Sequence, residues 1–312
     1  MPRLSVLWQR CLLTLTLASA ALWAQAAPLL DARPRMAVMS AFEPELVLLK
    51  SQLKSPKTYR LHGVEFTTGR LNGQAVVLLL SGISMTNAAM NTQRVLDHFR
   101  ITHVVFSGIA GGVNPGLHIG DVAVPERWGQ YLEVLMARET APSRYTAPAW
   151  IDDIRFPPYG MMHPRAVETR SASQNGIERK FWFDVDPRML AVARKLGQEA
   201  LKACDAVQRC LRHAPQLVVG GHGVSGQAFV DNADFREYVF KTFQANVLDM
   251  ETAATAMVAH SNGVPYIAFR SLSDLAGGGE GANEMDTFMH LAADNSARVL
   301  MAFMTAWGQQ QP

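Results

Sequence analysis

The run Gln74–Ser81, QAVVLLLS, is apolar without alternation. A strand with one wet face alternates polar and apolar residues, so an unbroken apolar run belongs to a strand covered on both faces. Arg35–Ser40 (RMAVMS), His103–Ser107 (HVVFS, ending at Gly108), Asp121–Pro125 (DVAVP, behind a Gly-rich turn) and Tyr266–Ser271 (YIAFRS) read as strands on the same grounds. Leu217–Gly220 (LVVG) and Gln227–Val230 are two shorter ones. Asn87–Phe99 carries Ala88, Met90, Val95 and Leu96 at helical spacing; Asp249–Ser261 is a further helix and Asp286–Trp307 closes the chain. Strand–helix–strand order with apolar strand runs predicts one α/β domain around a central sheet, and no internal repeat is present. Trp128–Arg188 differs, being rich in Pro, Arg and aromatics with weak periodicity. Such a segment either serves a site or partner or is a surface excursion, and both readings stay open.

With 312 residues, 48% hydrophobic and 18% charged, the chain can bury a full-sized core. Net charge is +2, and no Lys/Arg stripe makes an electrostatic case for nucleic acid. A small-molecule substrate fits better. Met1–Arg10 holds Arg3 and Arg10 and no acid; Cys11–Trp23 is apolar apart from hydroxyls; Ala24-Gln25-Ala26 has the small-x-small pattern of a cleavage site. This predicts a signal peptide at 1–26, a domain at 27–312, and export to the periplasm or medium, with an uncleaved anchor as the alternative. Cys204 and Cys210 would then face an oxidising compartment. A helix end or turn between them would allow a disulfide, and two unlinked thiols are the other reading.

Several motifs fail on context. Gly221–Gly226 matches G-x-G-x-x-G, but Gln227–Val230 reads as a strand where a dinucleotide site needs a helix. Gly82-Ile83-Ser84-Met85-Thr86 lacks the closing Gly of a nucleophile elbow. The nine histidines include no H-E-x-x-H pair and the cysteines no zinc spacing, so neither metal nor organic cofactor is expected. His118 and His222 are read as solvent-facing.

Three segments combine residues that carry chemistry. Ser40–Glu45 follows the first strand, and Pro44 suits a first helical turn, which projects Glu45 towards the carboxyl end of the sheet where α/β ligands bind. The other reading is that Glu43 and Glu45 merely complement the helix dipole. Ser107–Val113 is small enough for backbone to approach a ligand, or is a plain tight turn. Val247–Ala254 contains Asp249, Met250 and Glu251, and the strand ending Arg270-Ser271-Leu272-Ser273-Asp274 follows it. One carboxylate can accept from both hydroxyls of a ribose, and a carboxylic acid of raised pKa can protonate a purine leaving group.

Taken in order, with Ser225–Val230, these blocks resemble the nucleoside phosphorylase/nucleosidase superfamily over about Arg35–Trp307. The resemblance is strongest to 5′-methylthioadenosine/S-adenosylhomocysteine nucleosidases and their exported, bark-storage-protein-like branch. It implies a single-domain α/β fold with a twisted central mixed β-sheet, partly barrel-like and flanked by helices, and a homodimer or larger homo-oligomer. It implies hydrolysis of the N-glycosidic bond of purine nucleosides without a cofactor. Asp274 resembles the general acid at purine N7 and Glu45 the carboxylate that activates water. Glu251 resembles the acid on the ribose hydroxyls and Met250 the residue under the sugar. Phe229 matches the aromatic stacked on the base, Val230 the backbone that reads its edge, and Ser273 a polar neighbour of the acid. Ile109, Ala110 and Gly111 line the site in this resemblance. Ile109 stands where many nucleosidases have Ser, Gln227 replaces an Asp, Asp249 a Glu and Ser84 a Gly. Residues 128–188 form a family-variable insertion, in which Phe181–Asp184 is similar to the exported relatives. Phosphorolysis, with Arg70, Arg94 or Arg270 as phosphate ligand, and a non-catalytic nucleoside-binding or storage role are the alternatives.

Overall fold

The computed structural model describes residues 29–152, 154–197 and 201–310; segment 1–26, on which the export reading rests, lies outside them. In chain order the main elements are β1 Asp31–Ser40, α1 Glu43–Gln52, β2 Lys54–Leu61, β3 Val64–Leu71, β4 Gln74–Leu80, α2 Met85–His98, β5 Phe99–Gly112, β6 Val122–Val124 and β7 Arg127–Gln130. Then follow β8 Trp182–Asp184, α3 Pro187–Ala193, β9 Leu217–Val219, β10 His222–Ser225, α4 Ala233–Phe243, β11 Ala245–Asp249, α5 Thr252–Ser261, β12 Tyr266–Asp274 and α6 Met285–Gln309. Twelve strands form one mixed sheet in the order β8-β7-β10-β11-β5-β1-β4-β3-β2, with β12, β6 and β9 branching from β5. The sheet is flanked by helices, as expected for the fold class, and it branches at β5 rather than closing into a barrel. No helix among the described residues is long and apolar enough to cross a membrane.

β5 organises this sheet. Val104, Val105 and Phe106 are paired in parallel to β1 on one edge and to β12 on the other. Both edges are therefore occupied and both faces buried, which is what the apolar runs of β1, β4 and β12 require. The strand does not stop at Gly108: it continues to Gly112, pairing β12 and then, antiparallel, β11. The glycine run, for which a tight turn was one of two readings, is paired strand, and it is glycine-rich because neighbouring side chains occupy the space a Cβ would take. A methyl at Gly108 would fall on Arg270 and Glu45, and one at Gly112 on Leu272.

Other boundaries also moved. Gln227–Val230 is loop; the strand is the preceding His222–Ser225, between β7 and β11. Gly223 is needed there because the Trp128 ring lies where its side chain would be, so a glycine of the dinucleotide-like motif serves packing. The helix read from Asp249 begins at Thr252, since Asp249 still belongs to β11, a short strand whose polar Asn246 hid its character. Met90 on α2 is exposed, not core. The hairpin β2–β3 had no apolar signal, because β2 is almost wholly exposed.

Residues 128–188 are not a mere excursion. They supply β7 and β8 at the sheet edge and three two-stranded ribbons: Val134–Met136 with Met162–Pro164, Arg138–Ala141 with Arg144–Thr146, and Val167–Thr169 with Glu178–Lys180. Trp128, Tyr131 and Phe183 are fully buried, and Phe181 stacks on Phe243 of α4 in a second apolar cluster. Cys204 and Cys210 are joined by a disulfide across a turn. His118 lies against the tilted ring of His213, and His222 is half-buried against Trp182 with Nδ1 at Phe243 O, so neither simply faces solvent.

Candidate active site

The carboxyl ends of the parallel strands β1, β5 and β12 meet at one cleft, the place where sheets of this kind offer ligand sites. Phe42 precedes α1 in extended backbone and Pro44 sets its first turn, so Glu45 folds back under the end of β1. Its Oε2 accepts from Ala41 N at 2.6 Å and its Oε1 from Ile109 N at 2.7 Å. The side chain is 1% exposed, and burial pushes its pKa up against the pull of Arg270 and these amides.

Glu251 lies between β11 and α5. It holds the N-cap position but makes no capping bond; Asp249 caps instead, accepting from the amides of Glu251 (3.2 Å) and Thr252 (3.1 Å). The Glu251 carboxylate is not spent on the helix and faces the cleft, where Oε1 accepts from Ser84 N at 2.9 Å and Oε2 from Arg270 Nη2 at 3.4 Å. Ser84 takes φ 88° and ψ 155°, a conformation that favours glycine, and thus bears strain to present that amide. Burial, with the neighbouring Asp249 and Glu45 carboxylates, pushes the pKa of Glu251 up to about 7 against Arg270 and the Ser84 amide. Asp274 ends β12: Oδ1 accepts from Ala276 N at 2.8 Å and Oδ2 from Ser273 Oγ at 2.9 Å. Burial raises its pKa too, beyond what the Ala276, Ser273 and Asn283 contacts lower it.

Apart from Asp249 and Ser273, the remaining wall is apolar. Ile109, Ala110 and Gly111 come from β5, Phe229 and Val230 from the β10–α4 loop, and Met250 from the turn before α5. All ten residues singled out from the sequence therefore line this one cleft, together with Ala41, Phe42, Ile83, Ala228, Leu248, Asp249 and Met285. Phe229 is 56% exposed, at the mouth. The Ile109 amide serves Glu45, but its apolar side chain offers no hydroxyl to a bound water.

Arg270 is the group whose role the sequence left undetermined. Considered there as a phosphate ligand, it is wholly buried beneath the cleft and faces three carboxylates: Asp249 at 2.8 Å, Glu251 at 3.4 Å and Glu45 at 3.8 Å. It donates to Ile109 O and Thr252 Oγ1, and its guanidinium lies 4.3 Å from the Phe106 ring centroid. Arg70 is exposed and donates to Gly73 O, while Arg94 donates to Asn91 Oδ1. Among the described residues no Lys, Arg or His lines the cleft. An arginine inside an apolar strand was the available hint, since such a charge needs buried partners. Nothing local identified Ser225 and Thr252, whose hydroxyls both donate to Asp249.

Residues 35–305 match the family model described as Phosphorylase superfamily. The chain is 27% identical over 281 residues to the 5′-methylthioadenosine/S-adenosylhomocysteine nucleosidase of Geobacillus kaustophilus, covering 89% of this chain and 99% of that one. Among solved structures, the same-named nucleosidase of Streptococcus pneumoniae with a transition-state inhibitor superposes with a TM-score of 0.62 at 24% identity, covering 88% of this chain and 99% of that one. The futalosine hydrolase of Helicobacter pylori superposes with a TM-score of 0.63 at 21% identity, covering 87% and 97%. These two likenesses are of fold. On the family match across most of its length, the chain belongs to the phosphorylase superfamily.

Proposed function

We propose that this protein is a purine nucleosidase, hydrolysing the N-glycosidic bond of nucleosides such as 5′-methylthioadenosine or S-adenosylhomocysteine to release the base. The observation that carries this is the convergence of Glu45, Glu251 and Asp274 on a cleft without a lining cation. Asp274, whose pKa burial raises, donates a proton to N7 of the purine. The C1′–N9 bond breaks with its electron pair passing to the base. Glu45 takes a proton from water as the water oxygen bonds to C1′. Glu251 accepts from the ribose hydroxyls, so the reacting geometry is set before the bond breaks. Met250 packs under the sugar, Phe229 covers the base from the mouth, the Val230 backbone reads its edge, and Ser273 orients the acid. The names of the curated relatives support the same reaction. Phosphorolysis is disfavoured, because a phosphate dianion would meet Glu45, Asp249 and Glu251 with no cation on the wall.

A panel of purine nucleosides assayed for free base, with and without phosphate, tests the reading. Phosphate-independent release is expected. Nucleoside binding without release would instead favour the binding or storage role. Asp274→Asn is expected to lower kcat by about 10²–10⁴-fold with nucleoside binding retained, and an undiminished rate would remove Asp274 from the mechanism.

Export to the periplasm or medium, with 1–26 as signal, and a homodimeric state belong to the same proposal. The Cys204–Cys210 disulfide supports an oxidising compartment. Exposed Ile83, Met90 and Phe229 around the cleft and α2 support association. Cell fractionation and light scattering check these two points.

A further inference from the structure

Asp249 is the carboxylate nearest Arg270, yet it has no capacity left for a substrate. Its Oδ1 accepts from Ser225 Oγ and from the amides of Glu251 and Thr252; its Oδ2 accepts from Thr252 Oγ1 and lies 2.8 Å from Arg270 Nε. A carboxylate offers about four lone-pair directions, and all are in use within the protein. Ser225 is itself tied to α5 through Ala253 N at 2.8 Å, so β10, β11 and α5 are joined at this one side chain. Glu251 and Glu45 stand farther from the same guanidinium, and each keeps acceptor capacity towards the cleft.

We propose that Asp249 is a positioning residue for the ribose-binding acid: it pairs with the Nε edge of Arg270 and caps the Glu251–Thr252 amides at once, so that Arg270 reaches Glu251 through a single long Nη2–Oε2 hydrogen bond and the rest of that carboxylate stays turned to the cleft. The proposal deepens the nucleosidase reading, on which it relies for the role of Glu251. The charged and polar groups facing Glu251 are Arg270 from β12, Asp249 from β11, Glu45 from α1 and the Ser84 amide ahead of α2. The Asp249 charge is also felt by the buried hydroxyls of Tyr131 and Tyr266. Removing the charge of Asp249 takes a like charge from Glu251 and leaves Arg270 to be shared by two carboxylates instead of three. Both changes favour the ionised form of Glu251.

The test is a pH titration of the Glu251 carboxyl carbon by NMR in ¹³C-glutamate-labelled protein, its signal assigned by loss in Glu251→Gln. It is run on the wild type and on Asp249→Asn, Asp249→Ser and Asp249→Glu, alongside kcat and KM for 5′-methylthioadenosine. Asp249→Asn should move the Glu251 midpoint to lower pH by roughly one unit and raise KM several-fold with a smaller effect on kcat. Asp249→Ser, whose hydroxyl still caps the same amides, should do likewise and carries the test if the Asn variant does not fold. Asp249→Glu should restore the wild-type midpoint. A purely structural Asp249 would lower Tm in the uncharged variants and leave the Glu251 midpoint where it is; that result overturns the proposal. Should even the wild type release no base, the nucleosidase reading falls, and the titration still decides whether Asp249 sets the state of Glu251.

Discussion

Glu251 is a carboxyl group that the fold holds in an unfavourable environment. Its pKa in the folded chain is about 7, against an ordinary 4.5, with burial the main cause. Between these values the native state binds more protons than the unfolded state, so stability falls as pH rises through that window. Glu45 and Asp274 are shifted the same way and add to the slope. Glu251→Gln should therefore flatten the decline, gaining on the order of 1–3 kcal/mol relative to wild type above about pH 7. Urea unfolding of the ligand-free protein on either side of the window checks this; an unaltered slope would mean Glu251 titrates normally. Glu45, Glu251 and Asp274 stood out in the sequence because each follows a recognisable strand or opens a helix, and the resemblance to the superfamily singled them out together. Their protonation was not, since it depends on how much water the surrounding side chains exclude.

The Cys204–Cys210 turn is stapled to α6 by Asn295, whose side chain accepts from Lys202 N at 2.9 Å and donates to Lys202 O at 3.0 Å. Leu211 then packs against Gly120, and Gln216 N donates to Asp121 Oδ1. Closing so short a loop in the unfolded chain is worth roughly 2 kcal/mol. Cys204→Ser with Cys210→Ser, or reduction, is expected to lower stability by that amount with kcat retained, because these residues lie outside the nucleoside cleft. Calorimetry and the base-release assay read the two effects separately. Elements with unbroken apolar runs, such as β1, β4 and β12, were visible in the sequence, whereas the β2–β3 hairpin, β11 and the true position of β10 were not. β2 is exposed, β11 is short, and β10 is glycine-containing because Trp128 needs the space. Apolar periodicity reports burial of side chains, and these strands are held by backbone pairing and by neighbours distant in the chain.

Across the whole molecule, α6 joins the core to the site. Phe303 is fully buried between Phe269 of β12 and Trp307, while Met285 at the other end of the helix lines the cleft. Phe303→Ala should destabilise the single domain by about 3–5 kcal/mol, and denaturant unfolding should remain one transition. A change below about 1 kcal/mol would show that α6 contributes little to the core. What the amino-acid sequence determined alone is the α/β class, the order of the blocks that mark the superfamily, and the carboxylates that line the cleft. These are properties of short contiguous stretches, in which side-chain type and spacing suffice. The tertiary structure alone decided that Glu45 reaches the Ile109 amide, that Glu251 reaches the Ser84 amide, and that Arg270 lies beneath all three of its carboxylates rather than on a phosphate. Desolvation and charge–charge energies depend on distance and on excluded water, and both are set only when strands remote in the chain pack side by side.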